Sequence, residues 1–379
     1  MTIVFVSITL NIHQAGVADE LYQLSGGNYW FVETGISDTD NKKGGDADFS
    51  KRPYLIRIAD GKESECKALQ LIRDVDVMIY GASPLKYLKE RVKTGKLTFV
   101  YSERWLKKGL INLLSPRLIK QQLFYHTCCY GKPLYALCAS AYAATDFNKM
   151  FSFKNRCFKW GYFTEIKEFD LESVLLQKQN STKIKILWVA RFLNWKHPEK
   201  MLALASYLKG VGITNFVIDM IGIGSELENI KSEVKNQGLL EFINILGAKS
   251  NDEVIEAMRA HHIFCFTSDR QEGWGAVLNE AMGAGCCPVA SIEAGSTGFL
   301  LKNEFNGLIY DDNNTTDFCK KVKWLLSHRD AMEVMSRNAY STIRTIWSPV
   351  NAASRFYELC NALMSNRTAS INDGPCSQA

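Results

Sequence analysis

The chain has 379 residues, of which 46% are hydrophobic and 22% charged; this globular composition excludes bulk disorder, collagen and coiled coil and suits two or three domains. The net charge of +5 favours anionic ligands or an anionic membrane surface and falls short of a dedicated nucleic-acid binder. No apolar run approaches the roughly 18 residues that span a bilayer, and the 11 cysteines, scattered and without a C-x-x-C, read as reduced thiols, not as a zinc site or a disulfide framework.

Residues 3–10 form an apolar, β-branched run that predicts a first strand. The opening MTIVFVSITLNIHQAG has no basic n-region and no small-residue cleavage site, so it does not read as a signal peptide, and the chain is expected in the cytosol. A loop holding Asn11, His13, Gln14 and Gly16 follows, then a helix over 17–24. Apolar runs at 54–58, 75–80 and 97–101 predict further strands, separated by helical stretches at 64–73 and 84–94; the Gly-, Asp- and Lys-rich residues 42–51 read as an exposed loop. Strands alternating with helices predict a parallel sheet covered on both faces. Residues 104–120, RWLKKGLINLLSPRLIK, interleave Lys and Arg with Trp, Leu and Ile. That pattern suits either an anionic membrane surface or an ordinary amphipathic core helix.

The polar residues 165–182 predict a linker. Beyond it, strands at 185–190, 216–221, 243–246, 263–267 and 288–291 alternate with helices at 198–209, 225–237, 251–259 and 276–284, with Ser225 as N-cap of the second and Glu228 three residues on. Amphipathic helices follow at 316–327 and 331–345. After Trp347-Ser348-Pro349 a last helix covers 350–364, and the small, polar residues 365–379 predict a disordered tail. The expected organisation is a first α/β domain at 1–165, a second at 166–346, a closing helix at 347–364 and the tail. A cleft between the domains would take ligands at the carboxyl ends of the strands.

Chemistry concentrates in the second half. Glu272-Gly-Trp-Gly-Ala-Val-Leu-Asn-Glu280 follows a predicted strand. Gly273 and Gly275 permit a tight turn and close approach to a ligand, and the helix starting near Ala276 offers unpaired N–H groups to a phosphate. Glu272 and Glu280 would hold hydroxyls of a sugar and a ribose; alternatively Glu272 is a helix-dipole partner and Glu280 is solvated. Arg191 and Lys196 follow the strand at 185–190 and supply the fork and point charge that a diphosphate needs, unless both are simply solvated. Gly222-Ile-Gly224 fails as a dinucleotide fingerprint because Leu227 stands where the third glycine belongs. The D-x-D triplets at Asp46/Asp48 and Asp74/Asp76 are weak divalent-metal candidates. In the first half, His13 and Gly16 are placed in the first strand-to-helix loop, and Tyr101-Ser-Glu-Arg104 ends another strand. Glu103 there would accept a proton, and Arg104 would bind an acceptor phosphate or make an internal ion pair.

The elements Ala190-Arg191 to Lys196, Gly222-Ile-Gly224, Leu246-Gly247, the E-x7-E segment Glu272 to Glu280, and Asn306-Gly307-Leu308 occur in that order across residues 184–310. This half resembles the retaining glycosyltransferases of family 4, whose GT-B fold pairs two Rossmann-like domains, with a last helix crossing back to the first. The resemblance implies a nucleotide-sugar donor, a UDP-sugar, with Arg191 and Lys196 on the diphosphate, Glu272 on the sugar, Glu280 on the ribose, and Leu246 and Ala248 beside the base. Gly16, Gly222, Gly224, Gly273, Trp274, Gly275 and Ala276 complete the expected donor site. Arg191, Lys196, Glu272, Glu103 and His13 are the expected catalytic residues. It further implies no metal or other cofactor, no nucleic acid, and a glycan or polyprenyl-diphosphate-linked acceptor used in surface polysaccharide synthesis, with the chain cytoplasmic and peripheral at the inner face of the membrane. Many family members carry a histidine after the strand equivalent to 97–101, where this chain has Ser102-Glu103. The first half, with His13-Gln14 and FKWGYF at 158–163, is similar to bacterial capsule and exopolysaccharide enzymes. A sugar-nucleotide epimerase of the same fold and a catalytically silent binding subunit are the alternatives; the broken glycine pattern disfavours an NAD oxidoreductase.

Overall fold

The computed structural model describes residues 1–35, 48–165 and 167–379. The chain divides into two units: Met1–Glu165 with Ile346–Ala379, and Ile166–Thr345. Asp46 and most of the loop expected at 42–51 lie outside the described residues.

In the first unit the strands are β1 (Ile3–Ser7), β2 (Tyr29–Glu33), β3 (Leu55–Arg57), β4 (Val77–Tyr80), β5 (Thr98–Ser102), β6 (Leu134–Cys138) and β7 (Cys157–Lys159). They form one sheet in the order β3-β2-β1-β4-β5-β6-β7, and every pair is parallel. Helices α1 (Ile12–Leu24), α2 (Lys62–Asp74), α3 (Leu85–Lys93), α4 (Pro116–Thr127) and α5 (Ala143–Lys149) connect them. All five residues of β1 and all four of β4 are buried, which is why they read as unbroken apolar runs. The order reverses at β1, which lies between β2 and β4, so the β1 and β4 exits flank a switch point where ligands of such sheets bind.

The second unit opens with α6 (Leu171–Gln179), capped by Asp170, inside the stretch expected as a linker. Its strands are β8 (Ile184–Val189), β9 (Phe216–Ile221), β10 (Ile243–Ile245), β11 (Ile263–Phe266), β12 (Cys287–Ser291) and β13 (Leu308–Tyr310), and its further helices are α7 (Glu199–Gly210), α8 (Leu227–Asn236), α9 (Asn251–Ala260), α10 (Val277–Gly283), α11 (Thr297–Leu300), α12 (Thr315–Ser327) and α13 (Arg329–Ser341). The parallel order is β10-β9-β8-β11-β12-β13, with its switch point between β8 and β11. Trp188, Phe192, Met201, Ile218, Cys265 and Phe318 belong to the core beneath it. Ser225 does not cap α8: the N-cap is Glu226, without a side-chain bond, and its N–H goes to Phe192 O at 2.9 Å.

The last helix, α14 (Pro349–Met364), packs on α1 in the first unit. The tail is ordered. Lys159 N–H donates to Ser377 O (2.8 Å), Cys376 N–H to Lys159 O (2.7 Å) and Ala379 N–H to Cys157 O (3.0 Å), and Cys376 and Ser377 are buried. Its composition predicts disorder, but β7 is an edge strand with unpaired backbone groups, and the tail covers them.

Candidate functional site

In the second unit the site grows from the exits of β8 and β11. Gly222 has φ +142° and a Cβ there would lie 1.9 Å from Ala190 O; one on Gly224 would lie 2.3 Å from Phe192 O. With no side chains in the way, the β9 exit lies directly on the 190–192 loop, held by Ala190 N–H to Ile221 O (3.1 Å) and Phe192 N–H to Ile223 O (2.9 Å). The two glycines expected at the donor thus shape the loop that carries Arg191. Arg191 itself is exposed and, among the described residues, has no acidic partner.

Lys196 is tied to the β11 exit at both ends. Its carbonyl accepts from Thr267 Oγ1 (2.6 Å), which in turn accepts from Trp188 Nε1 (2.8 Å), and Asp269 N–H donates to Trp195 O (3.0 Å). Its ammonium pairs with the Glu272 carboxylate and lies 4.3 Å from the Trp195 ring centre. Both side chains of the pair are 11% exposed, so charge and countercharge sit in a poorly solvated spot at the switch point. His197, which sequence reasoning passed over, adopts a left-handed conformation (φ 53°) with Nδ1 2.7 Å from Glu199 Oε1 and Nε2 3.6 Å from Asp269 Oδ2. Asp269 first and then Glu199 push its pKa up to about 9, so it adds a positive charge to this loop at neutral pH. Asp269 is 72 residues away, and no local spacing announces it.

Gly275 (φ +87°) is required by space as well: a Cβ would sit 2.3 Å from Phe266 Cζ. Among the described residues, no backbone carbonyl takes the N–H groups of Gly275, Ala276 and Val277, the last two being N-cap and first residue of α10. Gly273 is buried. Trp274, expected at the donor, is instead a fully buried core residue whose indole donates to Asn279 Oδ1 at 2.9 Å; an isolated tryptophan between glycines gives no sign of which way it turns. Glu280 is half-buried, and burial raises its carboxyl to about 7 while Asn251 draws it partly back, so it is not the freely solvated side chain of the alternative reading. Leu246 and Ala248 are exposed in a loop fixed by Leu246 N–H to Met220 O (2.9 Å) and Gly222 N–H to Gly247 O (2.8 Å).

In the first unit a cavity of about 720 Å³ opens at the β1, β4 and β5 exits, with Ser7, Gln14, Gly81, Glu103, Lys107 and Tyr162 in its wall. Glu103 receives Tyr162 Oη at 2.7 Å and Lys107 Nζ at 2.5 Å. Several expectations here are corrected. Asn11 caps α1 through His13 N–H, so His13 and Gly16 lie in the helix and not in a loop. His13 backs the cavity: its ring stacks on Tyr162 (5.8 Å, 6°), burial lowers its pKa to about 4, and Nδ1 has no partner among the described residues. Gly16 faces Pro349, whose Cγ would be 3.0 Å from a Cβ, so it packs α1 on α14 and is no donor contact. Arg104 makes the internal pair, Nε to Asp146 Oδ2 at 3.4 Å, with Tyr142 under its guanidinium at 4.6 Å. Residues 104–120 form no single helix: a 3₁₀ turn, Gly109–Leu114, precedes α4. Asp76, of the second D-x-D, is taken by Thr2 N–H and Oγ1 at 2.8 and 3.0 Å; among the described residues no three His, Cys, Asp or Glu side chains gather as a metal site.

Residues 176–342 match the family model Glycosyl transferases group 1. That match falls within the second unit, and the chain's two parallel sheets have the GT-B fold. It is similar to an uncharacterized glycosyltransferase of Methanocaldococcus jannaschii, 33% identical over 125 residues, covering 33% of this chain and 34% of the relative; the chain thus spans only about a third of that relative's length. In structure it is similar to Anabaena HepE in complex with UDP (TM-score 0.70, 13% identity, 95% of this chain and 100% of that one) and to the lipopolysaccharide outer core galactosyltransferase WaaB (TM-score 0.69, 16% identity, 97% and 100%). HepE is also known in complex with UDP-glucose (TM-score 0.66, 12% identity, 97% and 100%).

Proposed function

We propose that the chain is a retaining, metal-independent glycosyltransferase that moves a sugar from a UDP-sugar to a glycan or polyprenyl-diphosphate-linked acceptor in surface polysaccharide synthesis. The observation that carries the reading is the Lys196–Glu272 pair, fixed at the second unit's switch point on the loop that also bears an unpaired Arg191. Arg191 and Lys196 would bind the diphosphate, with the N–H groups at Gly275, Ala276 and Val277 adding donors. Glu272 would take sugar hydroxyls, Glu280 the ribose, and Leu246 and Ala248 would flank the base. The UDP and UDP-glucose bound by HepE support that donor class.

In the transfer the bond between the anomeric carbon and the outer phosphate oxygen breaks, and the acceptor oxygen bonds to that carbon from the same face. The acceptor proton passes to the departing phosphate. Negative charge grows on that phosphate as the bond breaks, so cations held in place beforehand stabilise the transition state more than the ground state. Glu103, held between Tyr162 and Lys107, would orient the acceptor hydroxyl in the first unit's cavity.

Arg191→Ala should cut turnover by a factor of about 10² to 10³, as loss of a preorganised charge-stabilising donor does elsewhere, with little change in thermal stability. Near-normal turnover would refute the assignment. Full activity in excess chelator is expected, and loss restored by Mn²⁺ or Mg²⁺ would defeat the metal-free reading. Incubating donor without acceptor separates transfer from epimerisation.

A further inference from the structure

The segment 196–200 is tied to other elements of the second unit by ion pairs: Lys196 with Glu272, His197 with Asp269 and Lys200 with Asp312. His197 is the unusual member. It closes the 3₁₀ turn Asn194–Lys196 at φ 53° and ψ 54° and precedes Pro198, where the chain reverses before α7. Glycine reaches that conformation at the least cost, so the turn alone does not call for an imidazole. The ring is engaged at both ends. Nδ1 lies 2.7 Å from Glu199 Oε1 and Nε2 lies 3.6 Å from Asp269 Oδ2. A neutral imidazole has one N–H and can offer it to one acid; a ring that faces two carboxylates is served by a proton on each nitrogen.

Asp269 passes this contact on. Its N–H donates to Trp195 O (3.0 Å) and its carbonyl accepts from Glu272 N–H (3.0 Å), so its backbone holds both the residue before Lys196 and the partner of Lys196. Its carboxylate is fixed in turn by Gln271 N–H at 2.8 Å and Gln271 Nε2 at 3.3 Å. Lys196, His197, Asp269 and Glu272 thus form a closed ring of links. The chain joins the first two, charge joins His197 to Asp269, a backbone hydrogen bond joins Asp269 to Glu272, and the Glu272 carboxylate returns to the Lys196 ammonium. Cut at His197, the ring keeps the Lys196–Glu272 pair but loses the charge contact that draws the two loops together on the side of α7.

We propose that His197 is a positioning residue: by bridging Glu199 and Asp269 it sets the Lys196–Glu272 pair where a diphosphate meets the lysine. The inference rests on the proposed donor site. A supporting contact of this kind matters because a binding side chain works only as well as its surroundings hold it. The charged groups around the ring decide how it answers to pH. Asp269, from the β11 exit, and Glu199, from α7, favour the protonated ring; burial opposes it, and so does Lys200, which is itself paired with Asp312. The balance lies at about 9. Below that pH the ring is charged and the bridge is made. Above it the ring is neutral and its attraction to both acids is lost.

The test is UDP binding to the full chain, measured by titration calorimetry from about pH 7 to about pH 10. His197→Gly keeps the left-handed turn without the ring. It should weaken binding about tenfold near neutral pH, the scale of one charge-assisted hydrogen bond, and the gap to wild type should close as pH rises through about 9. UDP ionises equally for both proteins, so the gap between the two curves is the readout. His197→Asn, uncharged and also tolerant of the left-handed region, should repeat the result. Asp269→Asn should cost a similar factor, and the double variant His197→Gly, Asp269→Asn no more than the poorer single, because both cut the same link. Glu199→Gln leaves Asp269 in place, so it should bind as wild type does near neutral pH and begin to lose affinity at a lower pH. A histidine that only shapes the turn would leave the glycine variant with wild-type affinity, or with the same deficit at every pH. Either result would overturn the proposal, as would losses that add in the double variant. A wild type that binds no UDP overturns the donor assignment and this inference together; wild-type binding that His197→Gly leaves untouched overturns this inference alone.

Discussion

The two units build their sites in different ways. In the second unit the proposed donor loops are shaped by backbone: Gly222 and Gly224 lie on Ala190 and Phe192, Gly275 lies on Phe266, and Thr267 joins Trp188 to Lys196. In the first unit the cavity is set by side chains far apart in sequence, with Tyr162 on Glu103, Asp146 on Arg104 and His13 behind Tyr162. A backbone-built site suits a ligand part that stays the same, such as a diphosphate. A side-chain-built cavity can change its lining without changing the sheet beneath it. Variants should therefore divide by unit: those in the second should affect donor handling, those in the first the choice of acceptor.

The largest effect is expected at Lys196. Lys196→Ala removes a cation and leaves Glu272 unpaired in a poorly solvated spot, so turnover should fall by a factor of about 10² to 10³ and donor affinity should fall with it. Donor affinity equal to wild type by calorimetry would break the comparison, because the loop would then not be a donor loop. Next comes Gly222→Ala. A Cβ 1.9 Å from Ala190 O at φ +142° forces the two loops apart and should cost about 3 kcal/mol in chemical denaturation. A cost below 1 kcal/mol, on the order of a surface change, would show that the stitching is loose. Smaller again, Thr267→Val leaves the Trp188 N–H buried without an acceptor, a penalty of about 1–3 kcal/mol. It should also raise donor KM by letting Lys196 wander, while Tyr162→Phe should leave donor KM alone and change only acceptor kinetics.

The same contrast explains what was legible in the sequence. Strands buried on both faces read as apolar runs, and the switch-point loops of the second unit carry glycines whose spacing is local, so the order of elements from 184 to 310 could be picked out, and Lys196 and Glu272, expected on facing loops, form an ion pair. Gly16 could not be read correctly, because its reason for being glycine is Pro349, 333 residues on. Arg104 offers two equally good readings until Asp146 arrives from α5. The tail at 365–379 carries no pattern of its own; its order comes from the edge of β7, whose vacancy only the assembled sheet reveals. His197 is invisible for a similar reason, since its two acids come from α7 and the β11 exit.

The smallest expected effect, and the finest test of the second unit, is at Glu280. Its folded pKa, about 7, lies above the ordinary 4.5 because burial disfavours the carboxylate. The folded state therefore holds its proton more tightly than the unfolded chain does. The associated stability is fully present below about pH 4.5 and is lost as pH rises through about 7. Glu280→Gln, which cannot ionise, should gain stability relative to wild type as pH rises through about 7, with the gap closing towards pH 4.5; a gap that stays constant across that range would place the carboxyl in water. Donor binding adds a second arm. Ribose hydroxyls that donate to Glu280 stabilise its carboxylate, so nucleotide binding near pH 7 should release protons. Calorimetry in two buffers of different ionisation enthalpy would register that release for wild type and lose it in Glu280→Gln, whereas a ribose that never meets this side chain would give the same proton count in both.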